Sequence, residues 1–193
     1  SPSSGLRTLT DITHDPEAKA PTWERLLLGM LDAPGTPWEK TKAELDDWYP
    51  WEPKTELLLE LAYLEELLGY AIQPARDLKT FYLIVGPGDN GKTKLAKTIE
   101  KIIGRQAIAA MPLKPGMDED HTKMVHLIGK QVLVDDDADK AYLLPDGLLK
   151  KLSEQKLLTA RHHNQQYFEF EAAVVAMILA NSWPKSRDAS RGM

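Results

Sequence analysis

The sequence predicts an α/β domain, a parallel sheet flanked by helices, preceded by a small all-helical segment. Three observations carry this prediction. Before position 79 the apolar residues recur at helical spacing. After it, the short apolar runs "TFYLIV", "AIAAM", "QVLV" and "VVAMIL" are separated by polar or helical stretches, as buried parallel strands are. The first of these runs leads directly into "GPGDNGKT" and then into a helical stretch, so strand, loop and helix follow without a break.

Residues 1–20 lack a basic start followed by an apolar stretch, which excludes a secretion signal and reads as a flexible lead-in. From Pro21, the residues Trp23, Leu26, Leu27, Met30 and Leu31 share one helical stripe, opened by a Pro-Thr pair suited to a helix start. A second helix is expected in "WEKTKAELDDWY". A third runs from Thr55 through Leu68, with Leu57, Leu58, Leu61, Leu64 and Leu68 on its buried face and Gly69 as its stop. The helical unit is thus expected over 21–78 and the α/β core over 79–193, where a helix from Lys92 to Ile103 ends at Gly104.

At 193 residues, 42% hydrophobic and 27% charged, the chain fits one globular domain with a helical attachment. Its lack of cysteine removes disulfides and thiolate metal sites and points to a cytoplasmic setting. The longest apolar run, Ala172 to Ala180, is far short of the roughly 20 residues of a membrane-spanning helix. A net charge of −5 argues against a generally basic nucleic-acid coat but leaves room for a local patch. The last residues, "KSRDASRGM", carry neither a helix stop nor a charged tail, as expected of a piece of a longer protein.

The pattern G-x-x-x-x-G-K-[ST] is filled by Gly86, Gly91, Lys92 and Thr93, with Pro87, Gly88, Asp89 and Asn90 between the glycines and Lys94 after them. Such a loop curls so that successive N–H groups converge on phosphate oxygens at the positive end of the next helix. Lys92 would hold the β and γ phosphates of a nucleotide, and Thr93 would place its hydroxyl on Mg²⁺. Hydrolysis also needs carboxylates at a neighbouring strand end, and Asp135, Asp136 and Asp137 directly follow "QVLV". The alternative for this cluster is a solvated acidic turn. Asn181, after the last apolar run, stands where an amide can hydrogen-bond an attacking water or the γ-phosphate, or is simply turn chemistry before Pro184.

"KLLTARHHNQQYFEF" reads as a β-hairpin of "LLTAR" and "QYFEF" with His162, His163 and Asn164 at its tip. Lys150 or Lys151, Lys156 and Arg161 lie beside it, either as a solvated face or as phosphate contacts. The adjacent histidines have no evident third partner for a metal.

In order, "GPGDNGKT", "LIGKQVLVDDDAD", "GLLKKLSEQKLLTAR" and "LANSWP" resemble the superfamily 3 helicases of viruses, phages and plasmids, in particular the phage/plasmid primase-helicase family. "LLLELAYLEELLGYAI" looks like the helical domain that precedes their ATPase core. The resemblance implies an AAA+-like P-loop ATPase that assembles as a hexameric ring and couples ATP hydrolysis, with Mg²⁺, to movement along single-stranded or forked DNA during replication of a mobile element. It makes Lys92 and Thr93 the Walker A pair and Asn181 the sensor. The acidic motif then falls on Asp136 and Asp137, with Asp136 on Mg²⁺, or Asp135 if the register is one earlier. The hairpin with Lys150, Lys156, Arg161, His162, His163 and Asn164 would grip the DNA backbone. An arginine finger is expected at Arg187, Arg191 or beyond Met193. The competing readings are a nucleotide-dependent loader or assembly switch and a small-molecule phosphotransferase. The latter usually needs several arginines for its acceptor, whereas only Arg105 and Arg161 lie between the loop and Asn181.

Overall fold

A computed structural model describes residues 55–73, 76–138 and 142–186, together with Glu17, Lys19, Ala20, Thr22, Trp23, Leu26, Leu27 and Met30. Four strands form a parallel sheet: β1 (Tyr82–Val85), β2 (Ile108–Ala110), β3 (Val132–Ala138) and β6 (Val175–Ala180), in the order β1-β6-β3-β2. Two further strands, β4 (Leu157–Ala160) and β5 (Phe168–Glu171), pair antiparallel as a separate hairpin. The four apolar runs singled out above therefore supply the sheet.

Those runs are apolar throughout because the sheet is covered on both faces. Strand alternation sends Val132, Val134, Val175, Met177 and Leu179 to one face. There they meet helix α1 (Thr55–Ile72) through Leu68 and Ala71, and helix α2 (Lys92–Ile103) through Leu95, Ile99 and Ile103. Leu133, Ala176 and Ile178 face the other way. That side is closed by helix α3 (His121–Met124), helix α4 (Asp146–Ser153) and the hairpin, through Met124, Leu148, Leu149, Leu158 and Ala160.

Helix α2 ends as its sequence predicts. Gly104 has φ 84°, and its N–H donates to the Glu100 carbonyl. Helix α1 does not end at Gly69 but continues to Ile72. A glycine inside a helix costs only about 1 kcal/mol, and the turn beyond it buries Tyr70 and Ala71 in the core. Helix α1 is stopped instead by a side chain. Arg76 donates from Nη1 to the Tyr70 carbonyl at 3.2 Å and from Nη2 to those of Ala71 at 3.1 Å and Gln131 at 2.9 Å. It also reaches the Gln73 carbonyl. Its guanidinium thus satisfies orphan carbonyls at the end of α1 and ties them to the residue that precedes β3. Burial lowers the Arg76 pKa, and the Tyr70 ring, 5.6 Å away, supports the charge.

Thr22, Trp23, Leu26, Leu27 and Met30 are helical, and Leu27 is fully buried in the α1/α2 core. The helix expected in "WEKTKAELDDWY", most of the lead-in and the side chains of Leu57, Leu58 and Leu61 lie outside the described residues. No helix among the described residues is long and apolar enough to cross a membrane.

Replacing Arg76 by leucine leaves buried carbonyls without a donor and is expected to lower unfolding free energy by about 3 kcal/mol. Arg105, in an exposed pair with Glu100 at 2.9 Å, serves as the control: Arg105→Leu should change stability by less than about 0.5 kcal/mol. Urea denaturation of the two variants checks both values.

Candidate functional site

The carboxyl ends of β1, β6 and β3 lie side by side, which is where open parallel α/β sheets bind ligands. The glycine loop leaves β1 at Gly86, whose N–H donates to the Ala180 carbonyl at 3.1 Å, extending the β1–β6 pairing by one bond. A Cβ on Gly86 would meet Asn90 Nδ2 at 2.2 Å, so a larger residue there would displace the Asn90 side chain that Lys92 bonds. The loop turns through Asp89 at φ 63° and Gly91 at φ 92°, both left-handed. Gly91 caps α2 without any side-chain acceptor, and α2 carries no acid in its first turn. No acid of its own first turn neutralises its positive end.

Lys92 folds back across this loop. Its Nζ donates at 2.8 Å to the carbonyl oxygens of Gly86 and Pro87 and to Asn90 Oδ1. The ammonium is buried, and that burial lowers its pKa. Three acceptors match the three N–H donors of the lysine, so the charge is held at the centre of the loop. Thr93 and Lys94 are exposed at the start of α2.

The aspartates do not behave alike. Asp135 is buried, 1% exposed, and its Oδ2 accepts from the Leu113 N–H at 2.7 Å and the Tyr142 hydroxyl at 2.5 Å. Burial, with this bond to Asp135, raises the Tyr142 pKa well above the usual phenol range. Asp136 is exposed. The difference comes from β3 itself. Asp135 opposes Ile178 on β6 and Ala138 opposes Ala180, so three steps along β3 match two along β6, and Asp136 and Asp137 occupy the bulge. Asp137 contributes to the strand, but its side chain lies outside the described residues. Asn181 is exposed at the end of β6, the strand between the glycine loop and the acidic bulge. The sheet therefore lines up the loop, Asn181 and Asp136 across three adjacent strand ends.

The hairpin sits on the opposite side of the sheet from α2. β4 and β5 pair from Leu157 with Glu171 to Ala160 with Phe168, and the Gln165 N–H closes the tip on the His162 carbonyl at 3.0 Å, with Asn164 at φ 59°. His162 stacks on Phe168 at 5.7 Å, and the Arg161 guanidinium lies 5.0 Å from the centre of the Tyr167 ring. His163 and Asn164 are exposed. Lys156 is engaged by Glu154 at 2.5 Å, which holds that carboxyl below its ordinary range, and Lys151 by Asp118 at 2.6 Å. Lys150 is partly buried on α4. Among the described residues no three side chains gather as a metal site, at His162 and His163 or elsewhere. Arg187 and Arg191 lie outside the described residues.

Sequence reasoning missed Tyr142 and Leu113, whose partnership with Asp135 spans segments far apart in the chain and leaves no local pattern.

The chain belongs to the family of unknown function DUF5906, whose model matches residues 84–191, from within β1 past the end of β6. No curated protein matches it in sequence. Among solved structures it resembles the A form apo structure of the NrS-1 C terminal region, with a TM-score of 0.58, 14% identity and 95% of this chain covered. A second structure of that region, covering its residues 305–718, gives 0.53, 14% and 93%. The chain spans 37% and 36% of those two chains. At this identity the likeness is one of fold.

The two neighbouring aspartates should separate cleanly. Asp135→Ala strands a buried N–H and a buried hydroxyl and is expected to cost about 2–3 kcal/mol of stability. Asp136→Ala should stay within about 0.5 kcal/mol of the parent. Thermal and urea unfolding of the pair measure the difference.

Proposed function

We propose that this chain is the ATPase part of a motor that moves along single-stranded DNA, acting as a helicase in the replication of a phage, virus or plasmid-like element. The observation that carries the reading is the row of three strand ends: a lysine-centred glycine loop, an exposed amide and an exposed carboxylate, in that order, at the ligand-binding edge of a parallel sheet. The fold shared with the NrS-1 C terminal region supports it.

In this reading Lys92 exchanges the carbonyls of Gly86 and Pro87 for oxygens of the β and γ phosphates, while the loop N–H groups and the start of α2 hold the remaining charge. Burial of the ammonium strengthens that contact, since a charge in a drier setting is attracted more strongly to phosphate. Thr93 and Asp136 offer exposed oxygens suited to a hard divalent cation, and they are the residues that would hold Mg²⁺, which supplies further neutralisation of the phosphates. Asp136 or Asp137 orients and deprotonates the attacking water, and Asn181 hydrogen-bonds that water or the γ-phosphate. Asp135 is assigned to support: it holds Leu113 and Tyr142 and so fixes the strand from which the bulge departs. Arg161, His162, His163 and Asn164 at the hairpin tip are assigned to the DNA backbone, with Lys150 and Lys156 at its base. A hexameric ring with an arginine finger at Arg187, Arg191 or beyond belongs to the same proposal.

Two measurements test it. ATP turnover should rise with single-stranded DNA. It should fall about 100-fold or more in Lys92→Ala and Asp136→Asn while both remain folded. Turnover that responds to a small phosphate acceptor and not to DNA would sink the motor. In salt titrations of DNA affinity, Arg161→Ala should reduce the slope of log affinity against log salt by about 0.7 for one lost contact to a single strand. An unchanged slope would remove Arg161 from the interface.

A further inference from the structure

A cavity of about 790 Å³ opens beside the glycine loop, between the N-terminal helical residues and α2. Trp23 and Leu26 line it from the helical residues, Lys94, Lys97 and Thr98 from α2, and Asp89 and Gly91 from the glycine loop. Its size is that of a small-molecule site. The helical residues are seated directly on the loop: a Cβ on Gly91 would lie 3.3 Å from Met30 Sδ and 3.6 Å from Leu26 Cδ1. Trp23 is half-buried against the α1/α2 core, so its ring is held while part of it faces the cavity.

We infer that this cavity receives the nucleoside of the triphosphate, with the base against Trp23 and Leu26. The inference rests on the phosphate-binding reading of the glycine loop and goes beyond it, since that loop recognises phosphate alone. Direction decides the placement. At its Gly86 end the loop is closed by β6, where the Gly86 N–H meets the Ala180 carbonyl, and this is the side of Asn181 and the acidic bulge. A terminal phosphate aimed at those groups leaves the nucleoside at the Gly91 end, where the cavity begins. The chemistry of the walls agrees. An aromatic ring and a leucine suit a flat base, and the lysine ammoniums suit the α-phosphate, the ribose hydroxyls and the acceptor nitrogens and oxygens of a base. The helical unit then completes the nucleotide site as well as packing on the core.

Calorimetric titration with Mg·ATP and with inorganic tripolyphosphate, on the same folded protein, tests the assignment. The parent should bind ATP more tightly than tripolyphosphate. Trp23→Ala should weaken ATP about tenfold or more and leave tripolyphosphate unchanged, and Trp23→Phe should retain most of the ATP affinity. Because Trp23 also touches the core, Thr98→Trp serves as a second variant: it fills the cavity from the α2 side and should lose ATP selectively in the same way. Equal loss of both ligands in these variants, or no loss of either, overturns the nucleoside site. Lys92→Ala should weaken both ligands. If it does and Trp23→Ala and Thr98→Trp leave the ratio of the two affinities unchanged, this inference falls alone. If the parent binds neither ligand, or Lys92→Ala binds both as well as the parent, the phosphate-loop reading falls and the nucleoside site with it.

Discussion

Strand β6 is the constraint on which the rest of the molecule depends. All six of its residues, Val175 to Ala180, are buried, and it pairs in parallel with β1 on one side and β3 on the other. A strand buried on both faces and paired along both edges has little freedom to shift register, since a slip of one residue would send every side chain to the wrong core. That pairing sets the spacing of the three strand ends. The loop after β1, Asn181 after β6 and the bulge of β3 are neighbours because β6 threads between strands that precede it by many residues in the chain.

Within that frame two local devices prepare the site. The loop satisfies Lys92 from its own carbonyls and Asn90, so the cation is buried and fixed at the centre of the loop. The bulge divides the aspartates. Asp135 turns inward to Leu113 and Tyr142, while Asp136 is left in solvent. One residue of extra length in β3 thus turns a uniform acidic run into one carboxylate that holds the fold and another available for chemistry.

Much of this was legible in the residues. Continuous apolar runs announced two-sided burial, and the glycine spacing announced the turn between β1 and α2, because both depend on neighbours within a few positions. The hairpin was readable from its alternating strands and polar tip. The end of α1 was not, because Gly69 satisfies a local stop rule that the buried Tyr70, Ala71 and the distant Arg76 override. The register of the acidic motif was also open, since three adjacent aspartates carry no local mark of which one the strand will turn inward. The cavity beside Trp23 could not be seen either, being built from one helical segment laid against another across a long stretch of sequence.

By itself the sequence determined the order of the elements, the identity of the four buried strands and the glycine-rich turn that follows the first of them, all consequences of side-chain polarity and backbone sterics over short range. Tertiary structure alone decided the strand order, the separation of Asp135 from Asp136 and the meeting of the N-terminal helical residues with α2. These depend on which distant segments share a core, and that is settled by the joint burial of both faces of the sheet and by no single stretch of chain.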